Sequence, residues 1–283
     1  MRKLWFLASA LAMGMFSLAM TSQARADQWS KSYTVSGHAD LHVNVNDGNV
    51  TVHSSDQNQI TAHVETTNWT IPGDVRITES QNGSHVEIEI HVPNLHFSWR
   101  NHSLRLELSV PRNLDLDIHT GDGNISSDSL AGRVQLDTGD GNINANNLAG
   151  DVRLHTGDGY IEGTGFAGSL DGDTGDGHIH IGGRFDGLKL HTGDGSIEVR
   201  VAQDSKMTSE WTLRTGDGSV TVQLPSNFNA QLDAHTGDGH INLEFPVTVS
   251  GSLDPTSLRG KINNGGETLM IRSGDGSIHI EKY

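Results

Sequence analysis

The residues best suited to chemistry are aspartates that recur inside one tetrapeptide, Thr-Gly-Asp-Gly. The tetrapeptide begins at Thr120, returns every 18 residues as far as Thr192, occurs twice more, and ends with a variant that begins at Ser273. A carboxylate that recurs at one position of a repeat can hold calcium, a cation that prefers oxygen ligands. The candidate calcium ligands are Asp122, Asp140, Asp158, Asp176, Asp194, Asp217 and Asp238.

One carboxylate per repeat cannot fill a calcium coordination sphere of about six to eight oxygens, so backbone carbonyls and water would supply the rest. The alternative is structural. Asp side chains in turns often accept hydrogen bonds from nearby backbone N–H groups, and each repeated Asp could do this at its own corner. Apart from calcium, the sequence predicts no cofactor, and it predicts no catalytic residue.

A second set of ionisable residues directly precedes the repeated Thr, and base and acid alternate over its first five members. The set consists of His119, Asp137, His155, Asp173, His191, Arg214 and His235. If successive repeats lie side by side, these residues form a ladder of opposite charges. We predict that the ladder tightens when its imidazoles are protonated. His119 and His155 would be two repeats, roughly 10 Å, apart, which is too far for them to share a zinc ion.

The apolar residues of the repeat have a period of two, which is typical of strands. Ile is the sixth residue of the first five copies, and Val or Leu is the fifteenth residue of the first four. A unit this short cannot bury its own apolar side, so it must stack on its neighbours. The sequence therefore predicts an all-β parallel β-solenoid with about 18–23 residues per coil. Its coils are predicted to be flattened and two-sided, with the Ile residues in one dry column.

The chain divides into three predicted segments. Residues 1–26 are a secretory signal peptide, in which Arg2 and Lys3 precede an apolar run and Ala24-Arg25-Ala26 forms the cleavage site. A retained membrane anchor is the alternative for this segment, and no later segment is apolar enough to cross a bilayer. Residues 27–118 are irregular β coils that cap the stack. Residues 119–283 form the repeat solenoid, in which 246–267 is the largest insertion.

The composition limits the partners. The formal net charge is −16, and it becomes more negative when the basic residues of the signal peptide are removed. This charge argues against nucleic acid and against anionic lipid surfaces, whereas it is compatible with cations, cationic polymers and neutral glycans. The chain has no Cys, so it has neither disulfides nor a lipid-modified N-terminal cysteine.

An exported chain with Gly-Asp-Gly-x-Ile corners resembles the bacterial putative-adhesin family of β-strand-repeat proteins, a domain of unknown function. The resemblance covers roughly residues 37–283 and is strongest over 120–243. Family members typically have Ser-Gly-Asp-Ile-like corners, whereas this chain has Thr in the first place and an extra Gly before the next residue and Ile. These differences at the corner are compatible with the same fold. The family name implies attachment, and the family provides no catalytic residues to carry over.

These observations predict an exported, non-enzymatic β-solenoid in the periplasm, at the cell surface or secreted. Its repetitive acidic face would bind an extended envelope polymer, a glycan or a protein, in an adhesion role. Two alternatives stay open: a calcium-binding structural repeat protein and a polysaccharide-active β-helix enzyme. The enzyme is disfavoured because the Asp residues are equivalent by repetition, whereas acid–base catalysis needs carboxylates in different environments.

Overall fold

The computed structural model describes residues 26–93, 102–249 and 254–283, and every regular element in these ranges is a β-strand. The predicted signal peptide lies almost entirely outside the described residues. The strands, in chain order, are Ala26–Thr34 (β1), Ala39–Val45 (β2), Asn49–Ser55 (β3), Gln59–Thr67 (β4), Arg76–Asn82 (β5), His85–His91 (β6), Ser103–Pro111 (β7), Leu114–Thr120 (β8), Ile125–Asp128 (β9), Ala131–Thr138 (β10), Ile143–Asn146 (β11), Ala149–Thr156 (β12), Ile161–Thr174 (β13), Ile179–Thr192 (β14), Ile197–Val201 (β15), Trp211–Thr215 (β16), Val220–Leu224 (β17), Ala230–Thr236 (β18), Ile241–Leu243 (β19), Val247–Val249 (β20), Ser257–Ile262 (β21), Thr268–Ser273 (β22) and Ile278–Lys282 (β23).

Each coil contributes one strand to each of two parallel stacks. The strands that lead into a corner form the first stack, which we call the Thr face. Its spatial order is β6, β2, β8, β10, β12, the second half of β13, the second half of β14, β16, β22 and β18. The strands that leave a corner form the second stack, which we call the Ile face. Its order is β7, β3, β9, β11, the first half of β13, the first half of β14, β15, β17, β23 and β19.

The register places identical positions of successive coils beside one another. Ile125 pairs with Ile143, which pairs with Ile161, and the row continues through Ile179 and Ile197. These five side chains are at most 1% exposed, so they form a dry column inside the coils. The predicted parallel solenoid with two-sided coils is therefore confirmed.

Buried aromatic rings of successive coils form a row in the core. Phe166 stacks on Phe185 with ring centroids 6.3 Å apart, and Phe185 meets Trp211 edge-on at 6.2 Å. Phe228 continues the row with its centroid 5.5 Å from that of Trp211. Offset and edge-on rings at such distances are the favoured aromatic arrangements. This ladder was not predicted, because its members fall in coils of different length.

The stack does not follow chain order at either end. On the Thr face β22 lies between β16 and β18, although it follows both in sequence. At the other end β2 lies between β6 and β8. The chain resumes the stack after the 246–267 insertion, but its last coil enters the penultimate place rather than the end of the stack.

Antiparallel strands cover most of the two ends. At the end nearest β6 and β7, β5 pairs with β6, β4 pairs with β7, and β1 pairs with β4. At the other end, β21 pairs with β18 and β20 pairs with β21. An open parallel edge is a template for another chain, and these strands blunt it. Asn82-Gly83 is a typical two-residue hairpin turn, but in the β5–β6 hairpin Asn82 pairs with His85, so the two loop residues are Gly83 and Ser84.

Candidate functional site

The repeated corner is held by its threonine. Thr156 illustrates the arrangement: its hydroxyl is buried, donates to the carbonyl oxygen of Gly141 in the preceding coil at 2.7 Å, and accepts from the backbone N–H of Gly159 at 3.2 Å. The same pair of bonds is formed around Thr138, Thr174, Thr192, Thr215, Thr236 and Ser273. Each hydroxyl therefore joins two coils and closes its own turn.

The repeated aspartates lie on the outside of these corners. Asp122, Asp140, Asp158, Asp176, Asp194, Asp217 and Asp238 are all exposed, as are Asp47 and Asp275 at the equivalent positions of two further coils. We call these nine residues the acidic edge. Within the described part of the chain their carboxylates form no hydrogen bond and no ion pair. The expectation that each Asp accepts N–H bonds at its own corner was therefore wrong, because the buried Thr hydroxyl takes that role.

The edge follows the spatial order of the coils. Asp275 accordingly stands between Asp217 and Asp238, because β22 pairs with both β16 and β18. Strands in a sheet lie about 4.8 Å apart, so successive carboxylates repeat at close to that spacing. Among the described residues, no three His, Asp or Glu side chains converge on a point that could hold a metal ion. Calcium held by one carboxylate per corner, with carbonyls and water, stays a prediction.

The pKa of Asp47, one member of the acidic edge, is raised above its usual value. Desolvation by the corner raises the pKa of Asp47, and the neighbouring Asp122 carboxylate raises it further. The folded state therefore disfavours the charged form of Asp47, so this residue costs stability at neutral pH. The cost disappears as the pH falls and the carboxyl becomes protonated.

Replacing Asp47 by Asn should thus raise the free energy of unfolding at pH 7 by a few tenths of a kcal/mol, the scale of exposed charge interactions. At pH 3 the variant and the parent should be equally stable. Urea denaturation at the two pH values measures both differences. Asp204→Asn, in an exposed loop away from the edge, is the control. A variant that is less stable than the parent at pH 7 would contradict the expectation.

The pKa values of two carboxylates on the outer surface of the Thr face, Asp115 and Asp233, are lowered. A hydrogen bond from the His38 side chain lowers the pKa of Asp115. Burial would raise the pKa of Asp233, but the guanidinium groups of Arg272 and Arg259 outweigh it and lower the value. The stability contributed by these pairs is present at neutral pH and is lost as the pH falls below about 4.

The ladder predicted before the repeated Thr is present in its first part. His119, Asp137, His155, Asp173 and His191 occupy adjacent strands in register. Of these neighbours only His119 and Asp137 are in contact, with Nδ1 2.9 Å from Oδ1. The predicted end of the ladder was wrong, because Arg272 stands between Arg214 and His235.

An open groove of about 720 Å³ lies on the Thr face. It crosses β10, β12, β13 and β14, and the loop before β16 borders it. Its charged lining consists of Arg133, Arg153, Lys189, Asp151, Asp171 and Glu210. Lys189 and Asp171 form an ion pair with a 3.4 Å separation. Cations and carboxylates are thus equally represented, and the surface is shallow.

Exposed aromatic rings can form a platform for sugars, and the candidates for such a platform in the sequence are Trp69, Phe97 and Trp99. Trp69 is 6% exposed and belongs to the core, where its ring stacks on that of His102 with centroids 5.2 Å apart. Phe97 and Trp99 lie outside the described residues.

The described part of the chain contains no helix that is long and apolar enough to cross a bilayer.

Comparison with known proteins agrees with this architecture. Residues 38–281 match the family described as Toastrack DUF4097. No curated protein matches the chain. A putative adhesin from Bacteroides fragilis is similar in structure, with a TM-score of 0.51, 15% sequence identity, and coverage of 89% of this chain and 96% of that chain. A putative lipid binding protein from Parabacteroides distasonis has a TM-score of 0.50, 14% identity, and coverage of 91% of this chain and 97% of that chain.

At such identities the two structures show the shared fold alone. The family model, in contrast, spans most of the sequence. The family resemblance predicted from the Gly-Asp-Gly corners is thereby confirmed, and the chain belongs to the Toastrack DUF4097 family.

Proposed function

We propose that the chain is an exported, non-enzymatic adhesion module whose acidic edge binds an extended cationic partner. The observation that carries the proposal is that the fold does not use the repeated carboxylates. Thr and Gly build each corner, whereas the Asp side chains are exposed and form no bond within the described residues. Nine carboxylates at roughly 4.8 Å spacing are costly to hold in a row, because neighbouring like charges repel.

The arrangement supports binding rather than catalysis. Acid–base chemistry needs two carboxylates whose environments differ, and most members of the edge have the same surroundings. A cationic polymer or a Lys-rich and Arg-rich protein segment would meet one carboxylate per coil along the edge. Such an interaction is electrostatic, so it should steer association and weaken as salt is added. The similar B. fragilis structure carries the name of an adhesin, which is consistent with a binding role.

The proposal predicts that charge at the edge matters more than charge elsewhere. The test variant combines Asp140→Asn, Asp158→Asn and Asp176→Asn, because Asn keeps the shape and turn preference of Asp. The control variant combines Glu107→Gln, Asp204→Asn and Glu267→Gln, three exposed acids away from the edge. Both variants change the net charge by the same amount. Binding of fluorescent poly-lysine is measured by anisotropy at low and high salt, with dextran as the uncharged polymer.

We expect the edge variant to bind poly-lysine about tenfold more weakly than the control variant does. We also expect the edge variant to be at least as stable as the parent protein, because neutralising neighbouring carboxylates removes repulsion of under about 1 kcal/mol per pair. A loss of stability would mean that the Asp residues serve the fold. Equal binding by the two variants would mean that poly-lysine senses only the net charge, and the proposal would be wrong.

A further inference from the structure

The out-of-order insertion of β22 creates a basic cluster near one end of the Thr face. Strand pairing places His191 beside Arg214, Arg214 beside Arg272, and Arg272 beside His235. We call these four residues the basic cluster. The cluster cannot be found by following chain order, because Arg272 is more than thirty residues from His235 in sequence and joins it only in the folded stack.

The cluster departs from the charge pattern of its own row. Earlier in the row, bases and acids alternate, and His119 contacts Asp137. Like charges directly opposite one another in a sheet are unfavourable. No acidic side chain separates Arg214 from Arg272 within the row. Two arginines thus lie side by side where earlier members of the row alternate in charge, and such a departure from a local rule is typical of a functional site.

The two guanidinium groups differ in how firmly they are held. Arg272 is fixed by Asp233: its Nη2 lies 3.0 Å from Asp233 Oδ1, and its Nη1 donates to the Asp233 carbonyl oxygen at 2.7 Å. Arg214 forms no ion pair in the described part of the chain, and its one side-chain hydrogen bond is to Met270 Sδ at 3.4 Å. A thioether is a weak acceptor, so the donors of Arg214 remain available to a stronger one.

A depression of about 550 Å³ opens beside the cluster and is lined by all four of its residues. The remainder of the lining is Thr215, Ser273 and the corner glycines Gly216, Gly237 and Gly274. The Thr215 and Ser273 hydroxyls are occupied by bonds to carbonyl oxygens at 2.6 and 2.9 Å. Glycine carries no side chain, so a ligand can approach the backbone closely.

Carboxylates surround the depression and limit the size of its ligand. Asp217, Asp238 and Asp275 of the acidic edge lie on the outer side of the same corners. Asp254 is within electrostatic range of His235, and Asp233 is paired with Arg272 and Arg259. A long polyanion would run into these charges. A compact anion could contact both Arg214 and Arg272 without reaching the edge.

We propose that the basic cluster is a binding site for a phosphate group. A phosphate monoester carries a charge of about −1.5 to −2 near neutral pH and three strong acceptor oxygens. Arg214 and Arg272 lie on adjacent strands, and their planar guanidinium groups suit phosphate oxygens. Arg214 has no ion-pair partner among the described residues, whereas Arg272 would share its donors between phosphate and Asp233. His191 and His235 flank the pair and add donors. This site is separate from the acidic edge, and its ligand has the opposite charge.

Isothermal titration calorimetry of the full protein with inorganic phosphate at pH 7 tests the proposal. The main variant is Arg214→Ala, because Arg214 is exposed and supports no ion pair in the described structure. We expect it to weaken phosphate binding at least about tenfold. Arg105→Ala, an exposed arginine on the Ile face, and the edge variant with three Asp→Asn changes should bind phosphate as the parent does. The edge variant separates a failure of this site from a failure of the proposed adhesion function.

Two further probes distinguish the source of the phosphate. Glucose 6-phosphate that binds as tightly as inorganic phosphate would support a phosphorylated saccharide ligand. Co-sedimentation with phosphatidic acid vesicles, but not with phosphatidylcholine vesicles, would support a lipid headgroup at the same cluster if Arg214→Ala abolishes it. Phosphate binding weaker than about 1 mM in the parent, or equal affinity in Arg214→Ala, would overturn the proposal.

Discussion

Replacing Gly159 by Ala is expected to lower the free energy of unfolding by about 3 kcal/mol, the upper range for inserting a group into a packed site. Gly159 is the second glycine of a Thr-Gly-Asp-Gly corner. A Cβ there would lie 1.9 Å from the carbonyl oxygen of Gly141 and 2.6 Å from its carbonyl carbon. Both atoms belong to backbone that is itself held between coils, so the clash cannot be relieved by moving a side chain.

Gly182→Ala is the matched control for this substitution. Its Cβ would meet only Arg200 and Thr164, at 3.7 to 3.9 Å, which is ordinary contact. We expect it to be neutral or to stabilise by up to about 1 kcal/mol, because Ala has less conformational freedom than Gly when unfolded. Urea denaturation of both variants measures the difference as a change in midpoint at constant slope. Equal stability of the two would mean that the corners are packed less closely than the structure describes.

The sequence predicted the columns of the solenoid but not the order of its coils, and the reason is physical. A period of two and a repeat of 18 residues determine which side chains point inward, so the Ile column follows directly. They do not determine which coil lies on which. Leu269 and Ile271 of β22 present the same inward pattern as Trp211 and Leu213 of β16. The inward pattern alone therefore does not determine which coil is the neighbour of which.

Because the coils share one inward pattern, the sequence also predicted one of the two candidate sites and not the other. Eight of the nine members of the acidic edge could be predicted, because each lies in a Thr-Gly-Asp-Gly tetrapeptide or its Ser variant, whereas Asp47 lies in a more divergent corner. The basic cluster could not, because it depends on Arg272 entering the stack between two earlier coils. The hydrogen bond that closes each corner was also assigned to the wrong residue, to Asp instead of Thr. Thr falls at an inward position of the period of two, and this position already indicated that its hydroxyl, rather than the outward Asp, is buried.

Gly and Thr therefore form the structure of each corner, whereas Asp forms its exposed surface. Gly and Thr lie where coils touch, and their substitution should be read out as stability. Asp lies where the molecule meets solvent, and its substitution should be read out as binding. A repeat whose scaffold and surface are carried by different residues can change its ligand without changing its fold. The acidic edge lies at the corners and the basic cluster lies on the strands that lead into them, so one scaffold presents two surfaces of opposite charge.

Replacing Thr156 by Val tests the scaffold half of this division, and we expect it to cost about 1 to 3 kcal/mol of stability. Valine has nearly the same shape but lacks the hydroxyl, so the bonds to the Gly141 carbonyl oxygen and from the Gly159 N–H are both lost. These polar groups would remain buried without the partner they have now, which costs more than the bond itself contributes.

Thr156→Ser is the control, because it keeps the hydroxyl and removes only a methyl group, at a cost of about 0.8 kcal/mol. The chain already uses this chemistry at its last corner, where the Ser273 hydroxyl donates to the Gly218 carbonyl oxygen at 2.9 Å. Urea denaturation should rank the parent above Ser and Ser above Val. If Val were as stable as Ser, the buried hydroxyls would be dispensable. The corners would then be held by glycine packing alone. Whatever the stabilities, both variants keep the Asp residues of the acidic edge, so we expect them to bind poly-lysine equally.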